Sequence, residues 1–192
     1  MKIGIISDIH ANPRALRNAL DDMGSTDMVL CAGDSISEYR FCPETVEILR
    51  GAGVQCIRGN HEAVLLGGRN PQYLRKCQAE FPADLLEFLS TAPLSIETRA
   101  DEARILVTHA SPLPPYEDYV YAGSPILKQV GSLPYEFIIL GHTHMPMIHK
   151  SGGVTVVNPG SCSEPRDQDR RGSYAILDSG TMEVEIRRFL RD

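Results

Sequence analysis

Seven side chains able to hold a metal ion fall at the ends of five apolar, strand-like runs. IGIISDIH ends in Asp8 and His10, and MVLCAGD ends in Asp34. VQCIRGNHE supplies Asn60, followed by His61, while ILVTH supplies His109 and FIILGHTH supplies His142 and His144. Of the six histidines only His149 falls outside these motifs. A lone histidine is ordinarily a packed or solvated residue, but strands that end on one sheet edge bring such residues together in space. Carboxylate, imidazole and amide oxygen suit mid-series divalent ions, with manganese first and iron, cobalt, nickel or zinc as alternatives. The lack of cysteine among them argues against a structural zinc site. Seven donors are too many for one catalytic ion that must keep an open position, and suit two ions sharing a carboxylate.

The elements that must position these residues follow a regular rhythm. KIGIIS reads as a strand buried on both faces. Asn12-Pro13 opens a helix with the stripe Ala15, Leu16, Ala19, Leu20 and Met23, which Gly24 stops. DMVLCAGD, a helix from Cys42-Pro43 to Gly53, and VQCIRG complete a βαβαβ unit with a parallel sheet. Residues 62–91 read as helical, with Pro82 beginning the last segment. The second half is mostly strands: LSIETR, ARILVTH, FIILGH, PMIHK, GVTVVN, SYAILD and MEVEIRRFL, with a hairpin at Gly152-Gly153. Ser111 to Gly131 is a long proline- and tyrosine-rich loop followed by a short helix, and loops of that length are usually functional. Two β-rich halves, each needing helical cover, predict an α/β fold with two sheets face to face.

The 192 residues suffice for one domain, taken as 1–192. An apolar fraction of 42% and a charged fraction of 23% are those of a soluble globular chain. The net charge of -6 and the lack of a large basic cluster argue against stable binding to nucleic acid or to an anionic membrane. Met1 leads directly into a strand, with no leader-like segment and no apolar run of bilayer-spanning length. Five cysteines with no CxxC pair fit a reducing compartment, so a cytoplasmic location is expected. The sequence leaves a homo-oligomer open.

The ordered motifs D-x-H, G-D, G-N-H-E, H and G-H-x-H resemble the calcineurin-like metallophosphoesterase superfamily. DIHAN, HASP, GHTHMP and NPGS…EPRD look like its compact bacterial and archaeal phosphodiesterase branch, over essentially the whole chain. The resemblance implies a four-layer αββα sandwich of two mixed sheets flanked by helices. It implies that Asp8, His10 and His144 bind one metal, that Asn60, His109 and His142 bind a second, and that Asp34 bridges them. His61 matches the family's catalytic histidine, and Arg58 matches an arginine that contacts phosphate in protein-phosphatase relatives. The implied reaction is hydrolysis of a small phosphate ester by a hydroxide bridging the metals, with His61 protonating the leaving alkoxide.

The chain departs from the pattern at Ala11, at Ser35-Ile36-Ser37-Glu38 and at Cys162-Ser163-Glu164, which concerns the rim of the site and so the substrate. A phosphodiester is expected ahead of a monoester, a phosphoprotein or a dinucleoside polyphosphate. The non-enzymatic alternatives are an interaction module of the same fold, whose catalytic set is degraded, and a metal store, which would not need His61. Asn158-Pro159-Gly160-Ser161 reads as a structural turn under the site, and Arg166 lies near it in sequence. Tyr116, Tyr119 and Tyr121 read either as a substrate wall or as plugs over a core.

Overall fold

The run KIGII forms β1 (Lys2–Ile6), buried on both faces from Ile3 onward, in the computed structural model, which describes residues 1–191. Asn12 caps α1 (Pro13–Met23): its Oδ1 accepts the Ala15 N–H at 3.0 Å, and Pro13 occupies a position where no backbone N–H is needed. A Cβ on Gly4 would lie 2.2 Å from Met23 Sδ, so the glycine lets α1 seat directly on β1. β2 (Met28–Cys31), α2 (Pro43–Gly51) and β3 (Gln55–Cys56) follow, and β1, β2 and β3 pair in parallel.

The stretch expected to be helical forms three helices, α3 (Asn60–Leu66), α4 (Pro71–Glu80) and α5 (Ala83–Thr91). Leu65, Cys77, Leu85, Leu86 and Leu89 from these helices pack with Ile36, Phe41 and Val46, so they enlarge the helical layer around α2. The chain then enters β4 (Ser95–Ala100), β5 (Ala103–Thr108), β6 (Phe137–Ile139), β7 (Met147–Ser151) and β8 (Val154–Asn158). Gly152, at φ 59, makes the β7–β8 turn. β9 (Gly172–Asp178) and β10 (Glu183–Phe189) return antiparallel to the first sheet.

The result is an α/β sandwich of two mixed five-stranded sheets, ordered β10-β9-β1-β2-β3 and β4-β5-β6-β8-β7. Strand alternation divides the apolar side chains among layers. Ile3, Ile5, Leu30, Ala175 and Leu177 meet Ile105, Val107, Phe137, Ile139 and Val157 between the sheets. Ile6, Cys31 and Tyr174 face outward onto Leu16, Ala19 and Leu49 of the helices. On the far side Leu106, Ile138 and Val156 are covered by Val120, Leu127 and Val130. That outer layer consists of loop and two 3₁₀ turns, Pro125–Lys128 and Val130–Ser132, and no α-helix. Prolines at 112, 114, 115, 125 and 134 deny the segment the continuous N–H ladder that an α-helix needs. Among the described residues no helix is long and apolar enough to cross a membrane.

Phe137 is buried at the centre of the inter-sheet core. Phe137→Ala is expected to lower stability by about 3–5 kcal/mol, read from the denaturant midpoint of guanidinium unfolding.

Candidate metal centre and active site

The loops after β1, β2, β3, β5 and β6 meet at one edge of the two stacked sheets. They do so by leaving strand geometry. Asp8 (φ 53), His10 (φ 49), Ala11 (φ 56), Asp34 (φ 53), His142 (φ 67) and His144 (φ 58) all adopt left-handed backbone. Each is costly for a residue with a Cβ, and such residues persist only where the surroundings over-determine them. Two residues apart, Asp8 and His10 would share one side if the strand continued past them. β1 ends instead at Ile6, and a turn brings the two side chains together. His142 and His144, read the same way, belong to different donor groups.

Later segments hold these turns in place. The Ile9 and His10 N–H groups donate to Asp34 O at 2.9 and 3.0 Å, and Asp8 N donates to Gly33 O at 3.1 Å. Ser161 Oγ donates to Asp8 O at 2.6 Å, and Ser163 Oγ donates to Ile9 O at 2.8 Å. Asn158 Nδ2 donates to Gly141 O at 2.6 Å. The Asn158–Ser161 stretch is therefore a turn that props the site from beneath. Two glycines permit the close approach: a Cβ on Gly59 would sit 2.2 Å from Asp34 Oδ1, and one on Gly141 would sit 2.1 Å from Ser7 Oγ.

The sequence reading missed Glu62. Its buried carboxylate accepts four backbone N–H groups from two loops: Ser35 at 2.7 Å and Ile36 at 3.1 Å on Oε1, Asp34 at 3.0 Å and Gly59 at 2.8 Å on Oε2. Burial, with Asp34 nearby, pushes its carboxyl up to about 7, and the Gly59 and Ile36 N–H groups oppose that shift. The available signal was the glutamate in the first turn of a helix that opens at Asn60, where N–H groups lack helical partners.

Three donor groups result: Asp8 with His10 and His144, His10 with Asp34 and His61, and Asp34 with His109 and His142. His10 Nε2 lies 3.0 Å from His144 Nε2, and Asp8 Oδ1 is 3.4 Å from His144 Nε2. His109 Nε2 is 3.0 Å from Asn60 Oδ1 and 3.2 Å from Asp34 Oδ2. Atoms about 2.1 Å from a shared cation, at angles between square and tetrahedral, are separated by about 3.0–3.4 Å, so these edges fit a divalent ion. The far nitrogens are occupied, as metal-binding imidazoles require: His109 Nδ1 is 2.7 Å from Ala32 O, and His144 Nδ1 is 2.7 Å from Glu164 O.

The electrostatics favour the same use. Burial lowers His10 to about 3 and His142 and His144 to about 4, leaving their lone pairs free. Burial also pushes Asp8 up to about 7, a cost that a bound cation would offset. Burial would lower His109 and raise Asp34, but their mutual attraction wins, raising His109 to about 10 and holding Asp34 below the usual carboxylate range. A divalent cation can take the place of the His109 proton in that pair.

His61 stands beside this cluster, its Nε2 3.8 Å from Asp34 Oδ2. Its Nδ1 accepts the Glu38 N–H at 2.9 Å, which assigns the proton of the neutral ring to Nε2. Glu38 and Ser163, which holds Ile9, belong to two separate segments that depart from the motif pattern, 35–38 and 162–164. The Tyr119 ring stacks on His142. Arg58 lines a cavity of about 500 Å³ with Leu66, Leu74, Leu86 and Glu87, among α3, α4 and α5. Arg166 is tied to the donors directly. Its N–H donates to His144 O at 3.2 Å, and its charge adds to burial in lowering His142 and His144. His149 is half-buried on β7.

Residues 1–182 match the calcineurin-like phosphoesterase superfamily domain. An uncharacterised Methanocaldococcus jannaschii protein is 28% identical over 96% of this chain and 85% of its own length. A phosphodiesterase from the same organism, MJ0936, is 26% identical over 84% of both chains. The crystal structure of a metallophosphoesterase from Sphaerobacter thermophilus superposes with a TM-score of 0.79 at 27% identity, covering 98% of this chain and 88% of that one.

Glu62→Gln turns an amide NH₂ toward backbone N–H groups that now face a carboxylate oxygen. The expected cost is about 1–3 kcal/mol for each N–H left unpaired. A drop in melting temperature and weaker binding of Mn²⁺ by the folded variant check it, by calorimetry and metal titration.

Proposed function

The chain belongs to the calcineurin-like phosphoesterase superfamily, and we propose that it is a phosphodiesterase using two divalent metal ions, with His61 as general acid. Residues 1–192 are read as one catalytic domain, since the first and last strands lie in the same sheet. Asp8, His10 and His144 would hold one ion, Asn60, His109 and His142 the other, and Asp34 both; the donor separations given above support this division. Nitrogen-rich sets of this kind favour manganese or another mid-series ion over calcium. Such ions, when bound, offset the ester's negative charge and make water a competent nucleophile near neutral pH.

The observation that carries the reading is the fixed tautomer of His61. The Glu38 N–H holds Nδ1, so Nε2–H points to the side where Asp34 gathers donors from both groups. From there Nε2–H can hydrogen-bond the leaving oxygen as its charge develops. Full proton transfer draws on the imidazolium, formed when Nδ1 takes up a proton in place of the Glu38 N–H; a store of metal or an inert interaction module needs neither. The match to MJ0936, itself a phosphodiesterase, favours diesters. So does the distribution of charge. Arg40 donates to the His10 carbonyl and approaches Glu164 at 3.9 Å, Arg58 lines the helical cavity, and of these arginines Arg166 alone is felt as a charge at His142 and His144. A monoester dianion would want more cation than this, and a diester monoanion wants less. Five free cysteines favour a reducing cytoplasm.

His61→Ala is expected to lower kcat by about 10²–10⁴ with metal content unchanged; loss of metal by elemental analysis would make His61 a ligand instead. With Mn²⁺ restored after chelation, an aryl phosphodiester should be cleaved with higher kcat/KM than the matching monoester. A monoester preference of about tenfold or more would overturn the assignment and make Arg58 the phosphate contact of a phosphatase.

A further inference from the structure

The segment Tyr119-Val120-Tyr121 shows two aromatic rings beside the metal donors, outside any packed core. Val120, only 3% exposed, is sunk into the apolar layer over the second sheet, while Tyr119 and Tyr121 are 49% and 43% exposed. With Val120 pinned inward, its two neighbours both project the other way. Their rings lie nearly parallel, at 8° with centroids 6.2 Å apart, and Tyr119 lies on His142 with centroids 3.8 Å apart. The turn is tied as well: Tyr121 N donates to Ser124 Oγ at 2.9 Å, and Ser124 N donates to Tyr121 O at 2.9 Å. Rings acting as plugs over a core would be buried. These form a fixed ledge that starts at a candidate metal donor and runs outward.

Resting on the phosphodiesterase reading, we propose that Tyr119 and Tyr121 form a stacking subsite for a planar ring on the retained arm of the ester, making nucleoside phosphodiesters the preferred substrates. Every nucleobase offers a π-face to such a ledge, and tyrosines give up little rotamer freedom in meeting it. The neighbouring charges limit the length of the substrate. Glu117 and Asp118 are exposed immediately before Tyr119 and repel further phosphates, so a small nucleotide ester is selected over a polynucleotide strand.

Two esters with the same nitrophenolate leaving group isolate the effect: thymidine 5′-(p-nitrophenyl) phosphate and methyl p-nitrophenyl phosphate. With Mn²⁺, wild type should favour the thymidine ester by about 5- to 100-fold in kcat/KM, the range for a base–aromatic stack. Tyr121→Leu and Tyr119→Leu should bring that ratio toward one, mainly through KM, and Tyr121→Phe and Tyr119→Phe should restore it. Calorimetric titration gives a second reading: thymidine 5′-monophosphate should bind more tightly than methyl phosphate to wild type, and the advantage should vanish in Tyr121→Leu. Equal kcat/KM for the two esters in wild type, or an unchanged ratio in the leucine variants, overturns the subsite. If wild type cleaves neither ester, the phosphodiesterase reading falls and the titration decides alone. A Tyr121-dependent preference for the thymidine nucleotide then retains the subsite, and its absence removes it.

Discussion

Five chain segments can meet at one sheet edge only if the backbone N–H groups freed where the strands end find acceptors away from water. Two of these segments solve the problem with one side chain. Glu62 gathers the N–H groups of Asp34, Ser35, Ile36 and Gly59, tying the loop after β2 to the start of α3. Asp34 and Asn60 are thereby fixed relative to one another before any ligand is considered. The residual cost of burying a carboxylate is borne by four charge-assisted hydrogen bonds, each stronger than a neutral one. The loops after β1 and β6 rely instead on Ser161, Ser163 and Asn158, whose side chains hold backbone carbonyls.

Within this frame burial and pairing keep most of the donors from carrying an isolated charge. Asp34 is matched by His109 at 3.2 Å, and the imidazoles of His10, His142 and His144 are kept neutral by burial. Asp8 is the exception, a carboxylate pushed upward by burial, with the His142 N–H at 3.1 Å on its Oδ2. A site so built holds concentrated unshared lone pairs at little net charge, a donor set better matched to mid-series divalent ions than to calcium.

Much of this was legible in the residues because strand ends announce themselves. The five runs ending in Asp8, Asp34, Asn60, His109 and His142 carry their polar residues at the positions where the parallel strands stop. Layer assignment was legible from alternation, as with Ile105 and Val107 inward and Leu106 outward on β5. Left-handed backbone at Asp8, His10, Asp34, His142 and His144 was not legible, because non-glycine residues carry no local mark of it; distant hydrogen bonds impose it. Glu62 escaped notice for a related reason, since a glutamate early in a helix ordinarily faces solvent. Arg58, adjacent in sequence to the donors, lines the helical cavity, while Arg166, over a hundred residues further on, acts on His142 and His144 through its charge.

The return of β9 and β10 to the first sheet bears on how the protein comes into being. β1 lies between β2 and β9, so a strand made well before residues 172–178 waits for them before its second neighbour exists. The props beneath Asp8 and Ile9 come from Ser161 and Ser163, again more than 150 residues downstream. A nascent chain therefore carries its first donors long before it can hold them in place. Long-range pairing of this kind slows folding and leaves strand edges exposed meanwhile. Assembly of the donor cluster is thus deferred until β9 and β10 have emerged from the ribosome.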